Sequence, residues 1–234
     1  MTASDRATAV DALRRCALFS QVDDRTLAVC VASLRTRHYR RNETIFHQGD
    51  PGDSLYLIEE GAVKIVLPSP EGEGEAIIAT LGPGDFFGEL ALLDGAERSA
   101  TAIAHQATTA LVLRRHAFVQ LVDTVPELRH ELLAGLAAEL RRLTNHVEEL
   151  YFLDLPGRLA RLIVRLAREV DPTPTGSVTL DWSFSQSELA GMIGGTRQTV
   201  NRLLGDFTAQ GLIRIEHNAL IVPDLDRLER AAAR

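Results

Sequence analysis

Cysteine and aromatic residues are scarce in this sequence of 234 residues. The two cysteines, Cys16 and Cys30, are too few and too far apart for a disulfide framework, so we expect buried, reduced thiols and a cytoplasmic protein. Aromatic residues contribute only 5% of the chain, whereas hydrophobic residues contribute 45%. Aliphatic side chains must therefore build most of the core.

Long apolar runs, targeting signals and the usual marks of catalysis are also missing. The chain has no run of about 18 apolar residues, so we expect no transmembrane helix and no membrane partner. Its first six residues, MTASDR, lack the basic start and apolar stretch of a signal peptide. The histidines stand singly, and no P-loop or nucleophile–base pattern occurs. We therefore expect neither a metal site nor an enzyme.

Charge is distributed unevenly along the chain, whose net charge is −7. Residues 1–154 carry 15 Lys and Arg against 23 Asp and Glu, whereas residues 155–234 carry 10 against 9. The basic residues of the second part are all arginines. An acidic body joined to a nearly neutral, arginine-bearing tail favours contact with DNA through one face of that tail.

Residues 184–207 have the pattern of a helix-turn-helix. Ser185 and Glu188 form an S-x-x-E capping box that can begin a first helix. Gly194 and Gly195 permit a sharp turn because glycine tolerates positive φ, and Thr196 can cap a second helix. The second helix would bury one apolar face, formed by Val200, Leu203, Leu204 and Phe207.

The opposite face of this second helix carries guanidinium and amide groups. Such groups match the base edges in the major groove of double-stranded DNA. The residues that we predict to contact DNA are Thr196, Arg197, Gln198, Asn201 and Arg202. An ordinary helical hairpin with a solvated polar face is the alternative that the pattern leaves open.

The pattern of the remaining chain predicts an α+β fold with three parts. Short helices over 8–34 precede many short strands between about 37 and 115, which favour a β-roll or barrel. A long helix runs from 126 to 153 and is broken at Pro156, which cannot donate an amide hydrogen. The C-terminal elements expected are a helix over 157–169, a strand over 178–182 and a wing hairpin over 211–222. The resulting domains are 1–125, 126–154 and 155–234.

Apolar residues in the long helix alternate three and four positions apart. They are Leu133, Leu136, Leu140, Leu143, Val147 and Leu150. This heptad pattern predicts a homodimer through a parallel coiled coil. The alternative is a helix that packs on its own domain.

A glycine-rich segment, residues 82–101, suggests a phosphate site. It leads into a short helix near Glu89, whose free N-terminal amides suit an anion, and Arg98 supplies a permanent charge. Ser99 offers a hydroxyl group, and Glu89 can accept a hydrogen bond from a ribose 2′-OH. A simple Glu89–Arg98 salt bridge explains the same composition equally well.

Two motifs in this order resemble a known family. Phe87-Gly-Glu-Leu-Ala-Leu-Leu with Arg98-Ser-Ala-Thr resembles the phosphate-binding cassette of cyclic-nucleotide-binding domains. The segments 150–158 and 194–204 resemble the hinge and the recognition helix of the cyclic-AMP receptor protein/FNR family of transcription regulators. The resemblance covers about residues 15–225. It implies a β-roll domain, a long dimerisation helix and a winged helix-turn-helix.

The resemblance also implies a ligand and the residues that bind it. An allosteric cyclic nucleotide, cyclic AMP with cyclic GMP as the alternative, would contact Gly88, Glu89, Leu90, Arg98 and Ser99. The homodimer would bind a palindromic DNA site and act on RNA polymerase.

Two positions depart from the family pattern. The helix positions that lie over adenine in the family are Leu143 and Thr144 here, and an apolar Leu143 cannot hydrogen-bond the base. Gln198 stands where Glu is common, which favours a different target sequence. Two rival functions follow: a regulator of the same fold with a vestigial pocket or another effector, and a nucleotide-binding regulatory subunit of a partner enzyme.

Overall fold

The computed structural model describes residues 3–69, 74–173 and 176–232. The chain divides into two compact units, Met1–Leu140 and Arg141–Arg234. None of the described helices combines the length and the apolar composition that crossing a lipid bilayer requires.

The N-terminal unit begins with helices α1 (Ala3–Arg15) and α2 (Asp24–Ser33), separated by a 3-10 turn (Ala17–Phe19). Asp23 starts α2 because its carboxylate accepts hydrogen bonds from the amides of Arg25 and Thr26 at 2.9 and 3.0 Å. The sequence predicts core contacts in this segment, and the side chains concerned are buried: Leu13, Leu18, Phe19, Leu27, Val31 and Leu34.

Eight short strands follow and confirm the predicted β-roll. They are β1 (Leu34–Tyr39), β2 (Thr44–Phe46), β3 (Ser54–Glu60), β4 (Val63–Pro68), β5 (Glu75–Leu81), β6 (Phe86–Phe87), β7 (Thr101–Ala104) and β8 (Thr108–Arg114). They form two four-stranded antiparallel sheets with the orders β1-β8-β3-β6 and β2-β7-β4-β5. The sequence also predicts a hairpin tip between Pro68 and Gly74. This tip lies mostly outside the described residues.

The sequence pattern does not mark β1, β2 and β6 as individual strands. β1 has four exposed residues between its buried ends, so it lacks the alternation that marks a half-buried strand. β6 has only two residues. One core packs both sheets together through Ile58, Val63, Phe87 and Ala102.

Three helices complete this part of the chain: α3 (Leu90–Asp94), α4 (Arg115–Thr124) and α5 (Pro126–Phe152). The single helix predicted after residue 126 is confirmed. Leu128 and Leu132 are buried in the core of the N-terminal unit, and Leu136 packs against the same core. Leu136 is therefore partly covered by its own unit, whereas Leu133 is exposed.

The C-terminal unit contains the end of α5 and seven further elements. They are α6 (Leu155–Val170), β9 (Val178–Asp181), α7 (Gln186–Ile193), α8 (Arg197–Ala209), β10 (Arg214–Glu216), β11 (Ala219–Val222) and α9 (Leu225–Ala232). The strands form an antiparallel sheet of order β10-β11-β9. Helices and sheet enclose one apolar core.

The predicted break between the two long helices is confirmed, but its detail differs. Asp154 caps α6 by accepting a hydrogen bond from the amide of Gly157 at 2.9 Å, and α6 begins two residues earlier than predicted. Pro156 lies in the first turn of α6, where its missing amide hydrogen has no helical partner to lose.

Two other C-terminal elements differ from the sequence-based expectation. The wing hairpin is confirmed around His217, which adopts a φ of 54°, but β10 starts at Arg214 rather than at Gly211. Helix α9 was not predicted. It packs against α6 through Leu225 and Leu228.

Candidate ligand site and DNA-binding surface

Gly88 occupies a position that only glycine suits. It joins β6 to α3 with a φ of +86°, in the left-handed region that side chains disfavour. A Cβ atom at this position would lie 2.5 Å from Nη1 of Arg98. The backbone of residue 88 therefore lies directly against the guanidinium group.

Arg98 is buried, with 4% of its surface exposed, and backbone oxygens hold its guanidinium. Nη1 donates to the carbonyl of Gly88 at 2.6 Å, and Nη2 donates to the carbonyl of Ser54 at 2.8 Å. Among the described residues, Nε of Arg98 is the buried side-chain polar atom left without a hydrogen-bond partner. A buried donor of this kind is costly unless a ligand or water satisfies it.

Aromatic rings pack around the same guanidinium. Its central carbon lies 4.2 Å from the ring centroid of Phe46 and 5.7 Å from that of Tyr56. The Tyr56 ring stacks on Phe87 with 5.1 Å between centroids. Burial lowers the pKa of Arg98 and raises that of Tyr56, but an arginine keeps its charge in proteins.

Glu89 precedes α3 and is largely enclosed. Burial raises the pKa of its carboxyl group, and the charge of Glu139 raises it further. No ion pair between Glu89 and Arg98 is present in the described part of the chain, because the arginine hydrogen-bonds to backbone oxygens instead. The alternative of a simple Glu–Arg salt bridge is therefore wrong. No side chain caps α3, and the amides of Leu92 and Leu93 donate to the carbonyl of Glu89 at 2.9 and 3.1 Å.

The structure thus brings part of the predicted ligand set together. Gly88 and Glu89 lead into α3, which begins at Leu90, and Gly88 lies against Arg98. Ser99 follows Arg98 in the chain and has an exposed side chain. Leu143 and Thr144 lie on α5 within the C-terminal unit, and both are exposed there. Their role towards a ligand stays a prediction.

Sequence reasoning missed the residues that hold Arg98. Phe46, Ser54 and Tyr56 come from β2 and β3, at least 42 positions before the arginine. No local motif marks them, because strand pairing alone brings them to Arg98.

The helix-turn-helix is confirmed in its local detail. Ser185 accepts from the amide of Glu188, and the Glu188 carboxylate accepts from the amide of Ser185, which completes the capping box. Thr196 caps α8 by accepting from the amide of Thr199 at 3.2 Å. Gly194 takes a φ of +70°, whereas Gly195 does not adopt positive φ, so only one of the two glycines makes the turn.

The outer face of α8 presents the predicted polar residues. All five are exposed: Thr196, Arg197, Gln198, Asn201 and Arg202. Asn201 accepts a hydrogen bond from Gln186 of α7 at 3.0 Å, and Arg202 lies 3.4 Å from the carboxylate of Asp206. The opposite face of α8 is buried in the apolar core of the unit, as predicted.

Several apolar side chains of α5 remain exposed within a single chain. They are Leu133, Leu140, Leu143, Val147, Leu150, Tyr151 and Phe152, the last two at 81% and 80% exposure.

Cys16 and Cys30 are buried free thiols, and burial raises their pKa values to about 12 and about 11. The described residues contain no cluster that could hold a metal ion.

Two protein families match this chain. Residues 36–125 match the family described as a cyclic nucleotide-binding domain, and residues 157–231 match the Crp-like helix-turn-helix domain. These ranges contain Arg98 with its surroundings and both helices of the helix-turn-helix, respectively.

Curated relatives extend over nearly the whole chain. The CRP-like cAMP-activated global transcriptional regulator of Mycobacterium tuberculosis is 34% identical over 220 residues, which cover 94% of this chain and 98% of the relative. The cAMP-activated global transcriptional regulator CRP of Escherichia coli O6:H1 is 32% identical over 202 residues, covering 85% and 94%. These relatives are transcription regulators rather than enzymes.

Solved structures share the fold. A CRP-family transcriptional regulator from Thermus thermophilus has a TM-score of 0.69 at 29% identity, covering 85% of this chain and 97% of the other. The c-di-GMP responsive regulator CLP of Xanthomonas campestris has a TM-score of 0.74 at 24% identity, covering 86% and 100%. The chain therefore belongs to the CRP/FNR family and is a DNA-binding transcription regulator with a cyclic nucleotide-binding domain.

Proposed function

We propose that this protein is a cytoplasmic homodimer whose DNA binding is controlled allosterically by cyclic AMP. The observation that carries the ligand part is the buried Arg98 guanidinium, which has an unpartnered Nε and lies against Gly88 in the segment that leads into α3. A buried positive charge with an unpartnered donor suits a cyclic phosphate. The parts of the mechanism are the ligand domain 1–125, the dimerisation helix 126–154 and the DNA-binding domain 155–234.

Each residue of the ligand site has a distinct task in this proposal. Arg98 and Ser99 hold the cyclic phosphate together with the amides near Gly88 and Leu90. Glu89 accepts a hydrogen bond from the ribose 2′-OH. This hydrogen bond stabilises the charged carboxylate and offsets the cost of burying it. Leu143 and Thr144 cover the base and link ligand binding to the long helix.

The exposed apolar residues of α5 support the dimer. A row of such residues along a helix is costly in water, and a second copy of the helix would cover it. Two recognition helices would then stand about 34 Å apart, one turn of DNA, and contact a palindrome. In this proposal the DNA-bound dimer acts on RNA polymerase. Cyclic GMP is the alternative ligand of the N-terminal domain.

Calorimetric titration of nucleotide-free protein tests the ligand. Separate arms use cyclic AMP, cyclic GMP and cyclic di-GMP, and sedimentation at micromolar concentration establishes the oligomeric state. Binding of cyclic AMP by a dimer is expected. Absence of binding at millimolar cyclic AMP contradicts the ligand, and a monomer contradicts the assembly.

A second candidate is a regulator that binds DNA without nucleotide. The apolar Leu143, 38% exposed, favours it because a leucine can pack on a partner helix without any ligand. The regulatory subunit of an enzyme is not favoured, since the C-terminal unit is a Crp-like helix-turn-helix.

A further inference from the structure

Arg158 connects three backbone segments of the C-terminal unit. Its guanidinium donates from Nη2 to the carbonyl of Leu150 at 2.8 Å and from Nε to that of Leu153 at 3.0 Å. Nη1 donates to the carbonyl of Ile193 at 3.2 Å. One side chain therefore contacts the end of α5, the connection to α6 and the end of α7.

Two of the three carbonyls lie at the C-terminal ends of helices, where a carbonyl lacks a helical donor. Leu150 lies in the last turn of α5, and Ile193 is the last residue of α7, so neither carbonyl has a partner within its helix. A cation also interacts favourably with the negative end of a helix dipole. None of the ion pairs found in the described part of the chain includes Arg158, whose guanidinium instead donates to these carbonyls.

Ile193 is followed directly by the turn that connects α7 to the recognition helix α8. Gly194, at a φ of +70°, places its Cα so that an added Cβ would lie 3.5 Å from Nη1 of Arg158 and 3.7 Å from Leu150. The turn of the helix-turn-helix, Arg158 and the last turn of α5 are thus in direct contact. A movement of the end of α5 relative to this turn would break at least one hydrogen bond of Arg158.

We propose that Arg158 is a positioning residue that fixes the recognition helix to the end of the dimerisation helix. It contacts no DNA in this proposal but sets the separation and orientation of the two recognition helices in the dimer. The inference rests on the proposed function, namely a dimer that binds a palindrome. It predicts that Arg158 determines how strictly the protein requires one spacing between half-sites.

The decisive variant is Arg158→Lys, and Arg161→Gln is its matched control. Lysine keeps the charge and the stem but has no planar fork that could reach three carbonyls in different directions. Arg161 lies exposed on the same helix. The probe is a palindrome selected from random DNA with the wild type, together with a version lengthened by one base pair at its centre. One base pair rotates a half-site by about 35°.

The wild type and Arg161→Gln should prefer the original spacing by about tenfold or more. Arg158→Lys should bind it more weakly and discriminate between the spacings by less than about threefold. Amide hydrogen exchange supplies a readout without DNA. The amides of Leu153 and Gly195, which donate to Glu149 and Ala190, should exchange faster in Arg158→Lys only.

Arg158→Lys with wild-type spacing preference and wild-type exchange would overturn the proposal. Loss of its cooperative thermal transition would also overturn it, because Arg158 would then be needed for folding rather than for positioning. A wild-type protein that prefers no palindrome would refute the proposed function instead. In that case the exchange at Leu153 and Gly195 still decides whether Arg158 holds these segments together.

Discussion

Arg98 in the N-terminal unit and Arg197 in the C-terminal unit lie in opposite surroundings. Arg98 is enclosed between an aromatic ring and two carbonyl oxygens, so it helps to hold β3 to the segment between β6 and α3. Arg197 is exposed at the start of α8, whose position depends on a buried apolar face and a threonine cap. Replacing Arg98 should therefore lower both the stability of the protein and its affinity for the nucleotide. Replacing Arg197 should lower the affinity for DNA and leave the stability unchanged.

The largest effect is expected for Arg98→Ala. The change leaves the buried carbonyl of Ser54 and the partly buried carbonyl of Gly88 without these donors, and a buried unpaired acceptor costs about 1–3 kcal/mol. Urea unfolding should therefore show a loss of about 2 kcal/mol or more. Titration should show cyclic AMP affinity reduced about ten- to a hundredfold. Wild-type stability would show that the backbone contacts of Arg98 carry no energy.

Arg197→Ala is the matched variant for the exposed side. Its stability should change by less than about 0.5 kcal/mol, because the side chain is exposed at the helix start. Its affinity for the selected palindrome should fall by about 1–3 kcal/mol, and specificity should relax at one base position. Fluorescence anisotropy with the palindrome and with scrambled DNA measures both. Equal losses on the two DNAs would identify Arg197 as a phosphate contact.

Leu143→Thr tests the coupling between the two regions. Leucine burial in a dimer is worth up to about 1.5–3 kcal/mol per side chain and needs no ligand. We expect measurable DNA binding by nucleotide-free wild type and stimulation by cyclic AMP of less than about tenfold, a coupling below about 1.4 kcal/mol. The threonine variant should bind less without ligand and be stimulated more. A wild type that binds DNA only with cyclic AMP would contradict this expectation.

The smallest effect is expected for Glu89→Gln and depends on pH. Burial raises the pKa of Glu89 above its usual value of 4.5, so the folded chain holds this proton more readily than the unfolded chain. The charged carboxylate therefore lowers stability above the folded-state pKa, and this cost disappears as pH falls towards 4.5. The variant should exceed the wild type in urea midpoint at pH 7 but not at acid pH. A lower urea midpoint for Glu89→Gln than for the wild type at pH 7 would contradict this expectation.

Local chemistry explains why the helix-turn-helix was predictable in detail. Its capping box, its threonine cap and its turn glycine all act within about four residues, so the sequence displays them directly. The weak points were also local in origin. Strand β1 has four exposed residues in a row, and all three residues of β10 are exposed, so neither has the pattern of an alternating strand.

The ligand segment was predictable only in part. Gly88, Glu89 and Arg98 lie within one motif, but the Glu89–Arg98 ion pair that composition equally allowed does not form. The guanidinium instead donates to carbonyls, and every residue has a carbonyl. Side-chain identity therefore cannot indicate which one is used.

The sequence alone determined the three-part order of the chain, the caps and turn of the helix-turn-helix, the polar face of α8 and the arginine of the ligand segment, because these depend on neighbouring residues. Tertiary structure alone decided what surrounds each arginine. Ser54 reaches Arg98 across 44 positions, and Ile193 reaches Arg158 across 35. Such contacts depend on strand pairing and helix packing, which bring distant backbone groups to one guanidinium without leaving any local pattern in the chain.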